Sequence, residues 1–210
     1  MNCDCFFCED RRFELNEKIG VASDESIIYQ DDYVFITPDI APVLEGHFLI
    51  VTKVHWNSFA NVDDDTYNSL ERAKDYLRHS IFSNEKVMFF EHGAVRENTA
   101  GACIDHAHMH VIPIPTDIDI DGFISVFISS DKIKANKISI QKCARDNQPY
   151  IFYETDRDSS WYYPVDMLPH QFFRMMVSYR FSITHYRWGE QYKTDKSKEL
   201  FETTLSLGKR

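Results

Sequence analysis

The chain has 210 residues, enough for one well-buried core or for one domain with a substantial extension. Hydrophobic residues at 43% and charged residues at 27%, with 16 Phe and 11 Tyr, exclude a disordered or low-complexity chain. A formal net charge of −10 argues against nucleic acid as a partner, because backbone binding draws on clustered Lys and Arg, but leaves room for a small anion at a locally positive site.

The start, Met1-Asn2-Cys3-Asp4-Cys5, has neither the basic residues nor the apolar stretch of a secretory signal. No apolar run approaches the ~20 residues of a membrane span. A cytoplasmic location with no membrane partner is the expectation. The five cysteines, Cys3, Cys5, Cys8, Cys103 and Cys143, are an odd number and read poorly as a disulfide framework. Cys5-Phe6-Phe7-Cys8 is compatible with structural zinc, a redox pair or coincidence; a redox pair should follow a strand, and none is expected here.

Further on, Ile27–Tyr29 and Tyr33–Thr37 read as short strands around a turn at Asp31-Asp32, and Asp39-Ile40-Ala41-Pro42 as a loop. His47–Thr52 is a continuous apolar strand suited to the middle of a sheet. A helix is predicted over 63–80: Asp63, Asp64 and Asp65 favour its N-terminal end, and Tyr67, Leu70, Ala73 or Lys74, and Leu77 recur at helical spacing. Lys86–Glu91 is the next strand, then a polar loop to Gly101. A strand over Ile104–Ile114 follows, stopped by Pro113 and Pro115. In the second half, Phe123–Ile128 and Tyr150–Glu154 read as strands, and Leu168–Phe181 and Lys196–Leu207 as helices. No catalytic constellation is visible there, so this half reads as extension, ligand cover or oligomer surface.

The informative segment is His106-Ala107-His108-Met109-His110. On a strand, side chains alternate, so the three imidazoles share one face, roughly 7 Å apart, while Ala107, Met109 and Val111 occupy the other. Packing does not call for such a row, since each buried ring nitrogen needs a partner. The alternatives to catalysis are a metal-binding strand or a polar sheet surface. A neutral imidazole can attack phosphorus to give a phosphohistidine that water later opens, with its neighbours holding the tautomer and binding phosphate oxygens. The chain carries no Gly-rich phosphate loop.

The run His106 to Ile112 fits the pattern His-φ-His-φ-His-φ-φ and resembles the histidine triad superfamily. So do Asp39-Ile40-Ala41-Pro42, Gly46–Val51, Lys53-Val54-His55 and Gly101-Ala102-Cys103-Ile104, so the likeness covers about residues 5 to 115. Phe89-Phe90-Glu91-His92-Gly93 and the long C-terminal half resemble a bacterial subgroup of uncharacterised relatives. The resemblance implies an α+β fold, an antiparallel β-sheet backed by helices, with a catalytic part over 1–115 and a C-terminal α/β extension over 116–210 packed on the same domain. It makes His108 the nucleophile, His110 the contact to the scissile phosphate or leaving group, and Asp39 the acceptor of ribose hydroxyls beside Ile40 near the base. His47 and Cys103 are expected to line the nucleotide pocket. It also implies a structural zinc held by Cys5, Cys8, His55 and His106, which would fix His106 and tie the N-terminus to the catalytic strand; Cys3 has the wrong spacing to Cys8. No organic cofactor is expected.

Ala102 and Cys103 stand where members commonly have Gln and Ser, members commonly have Asn near Glu91, and the 93–101 loop is long. These departures bear on substrate and leaving group more than on the chemistry. The expected activity is hydrolysis or transfer of a nucleoside monophosphate, with diadenosine polyphosphates as candidate substrates and a homodimer as the assembly. A phosphorylase or nucleotidyltransferase, removal of adenylate from DNA ends, and a non-catalytic nucleotide sensor are the rival readings; the acidic balance weighs against the second of these.

Overall fold

A computed structural model describes residues 5–12, 14–21, 25–114, 119–155, 159–184 and 186–210. Cys3, Pro115 and His185 lie outside the described residues. Eight strands are seen among them: β1 (Tyr29–Gln30), β2 (Val34–Pro38), β3 (Phe48–Thr52), β4 (Val87–Gly93), β5 (His108–Pro113), β6 (Ile133–Lys134), β7 (Tyr150–Glu154) and β8 (Ser160–Pro164). They form one sheet in the order β1-β2-β3-β5-β4-β7-β8-β6, with every pair antiparallel. The helices are α1 (Glu14–Lys18), α2 (Asp64–Tyr76), α3 (Ile120–Ser125), α4 (Lys137–Arg145), α5 (Phe172–Arg180), α6 (Trp188–Gln191) and α7 (Asp195–Gly208). Among the described residues, no helix is long and apolar enough to cross a membrane.

Alternation along the strands divides the interior in two. Phe89, Met109, Val111 and Phe152 face α2 and α4, packing with Leu70, Ala73, Leu77 and Ile140. Met88, Phe90, Ile112 and Ile151 face the other way, onto Ile120, Ile124, Phe173, Met176 and Val177 of α3 and α5. The second half of the chain thus shares the sheet and both cores with the first. Its junction is the β4–β7 pairing, where Gly93 opposes Tyr150. A Cβ on Gly93 would sit 2.3 Å from the Tyr150 ring, so that pairing needs glycine.

The helix expected over 63–80 forms as α2, with the Asp63 side chain accepting the Thr66 N–H at 2.8 Å, and runs into a π turn over Leu77–Ile81. Three expectations need correction. Phe123–Ile128 is not a strand: Asp119 caps Gly122 N–H, and Ile120 and Ile124, one turn apart, share the buried side of α3. The triad strand begins at His108, not Ile104. Ahead of it, Ala107 N–H bonds Trp56 O and Ala107 O takes Thr52 N–H, contacts to the loop that carries His55. Strand β4 continues to Gly93, placing His92 in the sheet rather than in a loop.

Candidate active site and metal group

Strand β5 carries His108 and His110, and His106 lies just ahead of it. Register sets His110 between Leu49 on β3 and Phe90 on β4, and His108 opposite Val51. The His110 ring stacks on Phe90 with centroids 4.6 Å apart and planes 9° apart. Both histidines open into a cleft bounded by Phe7 and Arg12 from the N-terminal arm, Phe35 and Asp39 from the β2 side, and Arg174 and Trp188 from the second half. Ile40 and Cys103 also line it. His47 does not; it is fully buried behind His110.

Hydrogen bonds assign the tautomers. His108 Nδ1 lies 2.6 Å from the carbonyl oxygen of His106, so Nδ1 carries the proton and donates, leaving the Nε2 lone pair unprotonated. Burial lowers the His108 pKa, which favours this neutral form. The Val43 N–H donates to His47 Nδ1 at 3.2 Å, putting the His47 proton on Nε2. His47 Nε2 lies 2.9 Å from His110 Nδ1 and donates to it, so His110 carries its own proton on Nε2. Burial pushes His47 down to about 4 and His110 well below the ordinary value, so both rings are neutral at pH 7. One imidazole therefore offers a lone pair and its neighbour an N–H.

Asp39 sits behind this pair. Its Oδ1 accepts Ala41 N–H at 2.8 Å, while Oδ2 accepts from Arg174 at 2.8 Å and lies 3.4 Å from His47 Nε2 and 3.6 Å from His110 Nδ1. Burial pushes its pKa up, but Arg174 and the other partners outweigh this and hold the carboxyl below its ordinary value. Among the described residues lining the cleft, Asp39 is the one carboxylate and is paired with Arg174, which leaves Arg12 as the cation that makes the site locally positive within an acidic protein.

The N-terminal arm brings Cys5, Cys8, His55 and His106 together, with their ligand atoms all within 4.8 Å of one another. Cys5 Sγ lies 3.4 Å and Cys8 Sγ 3.8 Å from His106 Nδ1, and Cys8 Sγ lies 3.2 Å from His55 Nδ1. Tetrahedral zinc with ordinary Zn–S and Zn–N bonds places S and N about 3.5 Å apart, so the set fits. His106 Nε2 donates to the Thr52 carbonyl at 2.8 Å, which turns the unprotonated Nδ1 toward the sulfurs, as a ligand requires. Between this group and the cleft stands Phe7, whose ring centroid is 5.7 Å from that of His106 and 5.3 Å from that of His108.

Several pocket residues are not legible in the sequence. His92 accepts the Phe173 N–H at the start of α5 and lies edge-on to His110. Gln171 adopts a left-handed backbone (φ 63°) where its N–H bonds Gly101 O, bringing α5 against the loop before the triad. Arg174 and Trp188 lie in a half that reads as cover; only the helix containing Arg174 carries a periodic signal. His79 is exposed and remote from the cleft, while His170 contacts Ala102 O and Cys103 at the rim.

The HIT domain family matches residues 21–116. An uncharacterised HIT-like protein of Borreliella burgdorferi is 30% identical over 117 residues, covering 52% of this chain and 75% of the relative. The protein called "hit" of Bacillus subtilis is 30% identical over 124 residues, covering 54% of this chain and 74% of the relative. An uncharacterised HIT-like protein of Methanocaldococcus jannaschii is 28% identical over 111 residues, covering 52% and 78% respectively. With the motif intact from His106 through β5 and an antiparallel sheet flanked by helices, the chain belongs to the histidine triad family.

Proposed function

We propose that the protein is a nucleotide hydrolase that cleaves a P–O–P or P–N bond of a nucleoside phosphate through a covalent nucleotidyl-histidine on His108. The observation that carries this reading is the bond from His108 Nδ1 to His106 O, which presents an unprotonated Nε2 in a positively charged cleft. In the first step Nε2 bonds to phosphorus and the bond to the leaving group breaks, its electron pair departing with the leaving oxygen, or with a leaving nitrogen that takes up a proton from solvent and departs as the neutral amine. The His110 Nε2–H donates to a phosphate oxygen as charge develops. In the second step a water oxygen bonds to phosphorus, the P–N bond breaks with its pair returning to Nε2, and the water proton passes to solvent. Asp39 and Ile40 hold the ribose and base end in this reading, and Cys103 stands beside the phosphates. Diadenosine polyphosphates are the first candidates.

Zinc held by Cys5, Cys8, His55 and His106 belongs to the same proposal. When bound, it would supply a structural tie that fixes His106 and hence the carbonyl to which His108 donates. Residues 1–115 are read as the catalytic part and 116–210 as the extension that closes its cleft. A cytoplasmic homodimer remains part of the reading. The sheet edges β1 and β6 are two residues each, so a dimer would join through helices rather than by extending the sheet.

Turnover of diadenosine tetraphosphate, an adenosine phosphoramidate and a nucleotide sugar, read by mass spectrometry, tests this proposal. Release of a nucleoside monophosphate, lost in His108→Ala, supports it. Products that require added phosphate mark a phosphorylase instead. Bound nucleotide without any turnover would sink the hydrolase and leave a sensor.

A further inference from the structure

Arg174 on α5 is separated from Asp39 by 135 positions, yet the two meet as a buried ion pair at the wall of the cleft. Arg174 does more than balance a charge. Its NH1 donates to Asp39 Oδ2, its NH2 donates to Ala41 O at 2.6 Å, and its Nε donates to Tyr186 O at 2.8 Å. Gln191 braces the same NH2 at 3.4 Å and donates from its own amide to Pro42 O at 3.0 Å. One guanidinium therefore bonds both Asp39 and Ala41, and Gln191 holds the Pro42 end of the turn. Asp39 Oδ1 is fixed in turn by Ala41 N–H. The carboxylate cannot rotate without breaking these bonds, and the residue lines the cleft with lone pairs to spare beyond them.

We propose that Arg174 is a positioning residue through which the C-terminal half sets sugar recognition: it holds the Asp39 carboxylate in the orientation that accepts the hydroxyls of a ribose diol. This rests on the nucleotide reading above, in which Asp39 already takes the ribose hydroxyls, and adds the residue of the second half that holds it in place. Arg174 acts through Asp39 and need not touch the ligand. Without it, Asp39 would be a buried carboxylate with one backbone donor and two neutral imidazoles beside it, free to turn or to take up a proton. Lysine could restore the charge but not the clamp on Ala41 O, because one ammonium lacks the planar fork.

The test compares AMP with 2′,3′-dideoxy-AMP by calorimetry on the intact protein, in wild type, Asp39→Asn, Arg174→Gln and Arg174→Lys. The wild type should prefer AMP by about tenfold or more, the scale of hydrogen bonds to a charged acceptor. Arg174→Gln should lose that preference as Asp39→Asn does, while its affinity for the dideoxy ligand changes by less than about threefold. Arg174→Lys, which retains the charge and serves if the glutamine variant fails to fold, should keep an intermediate preference. Equal weakening of both ligands in the Arg174 variants, or a full preference retained, would overturn the proposal and leave Arg174 a structural tie. A wild type that binds AMP and the dideoxy ligand equally, or neither, would instead remove the ribose reading on which it rests.

Discussion

His47 Nε2 and His110 Nδ1 lie 2.9 Å apart, and the Val43 N–H on the far side of His47 decides which of the two rings donates. A buried histidine that never reaches the cleft thereby sets the proton on one that does. His47→Phe keeps the ring volume but removes the donor, so His110 can hold its proton on either nitrogen. Turnover should fall by about a hundredfold at nearly constant KM, because the lost donor acts on developing charge. Steady-state kinetics decide this, and an unchanged kcat would show that the tautomer is set by other means.

The cysteine–histidine group reaches the chemistry through Phe7, which contacts both His106 and His108. Cys8→Ser should reduce bound zinc, measured by elemental analysis, well below one per chain. Loss of the tie should cost about 3 kcal/mol or more, a fall in Tm of about 10 °C. KM should rise as the Phe7 wall loosens. A purified wild type that contains no zinc, and whose Tm is indifferent to a chelator, would discard the metal.

Glu91 points away from the triad, into the core beneath α2, where Phe59 N–H and the Tyr150 hydroxyl donate to its two oxygens at 2.7 and 2.6 Å. Burial outweighs those bonds and pushes its pKa from 4.5 up to about 7. The folded state then binds this proton more tightly than the unfolded chain. The stabilisation is fully present below about pH 4.5 and is lost as pH rises through 7, about 3 kcal/mol in all. Glu91→Gln should flatten that part of the stability–pH curve in denaturant titrations. The same slope in wild type and variant would assign it to other groups.

Gly101 has φ +75°, and a Cβ there would lie 2.6 Å from the Pro169 carbonyl oxygen. Gly101→Ala should therefore cost about 1–3 kcal/mol through backbone strain and displacement of the segment entering α5. Chemical denaturation measures this; a neutral substitution would show that the loop before the triad and the α5 approach can separate.

Local signals made the first half readable. Alternation around His108 and His110, the apolar run of β3 and the acidic start of α2 at Asp63 each follow from neighbouring residues, and each is found in place. The second half hides its part because its signals are long-range. Nothing local distinguishes Arg174 from an ordinary helix arginine; its meaning arises from the turn at Asp39, brought near by the β4–β7 pairing. Phe123–Ile128 misleads because β-branched and aromatic residues suggest a strand, while the Asp119 cap and the two buried isoleucines settle it as a helix. His92 was hidden for a related reason: its role depends on β4 extending past Glu91 and on α5 beginning opposite it.

The central claim is that His108 Nε2 becomes bonded to phosphorus, and trapping that bond tests it most directly. The protein would be mixed with a turned-over nucleoside phosphate, quenched in base to protect the acid-labile P–N bond, and mapped by peptide mass spectrometry. A nucleotidyl group is expected on the peptide holding His108 and absent from His108→Ala, which also fails to turn over. Turnover retained in His108→Ala, or an adduct on another residue, would contradict it.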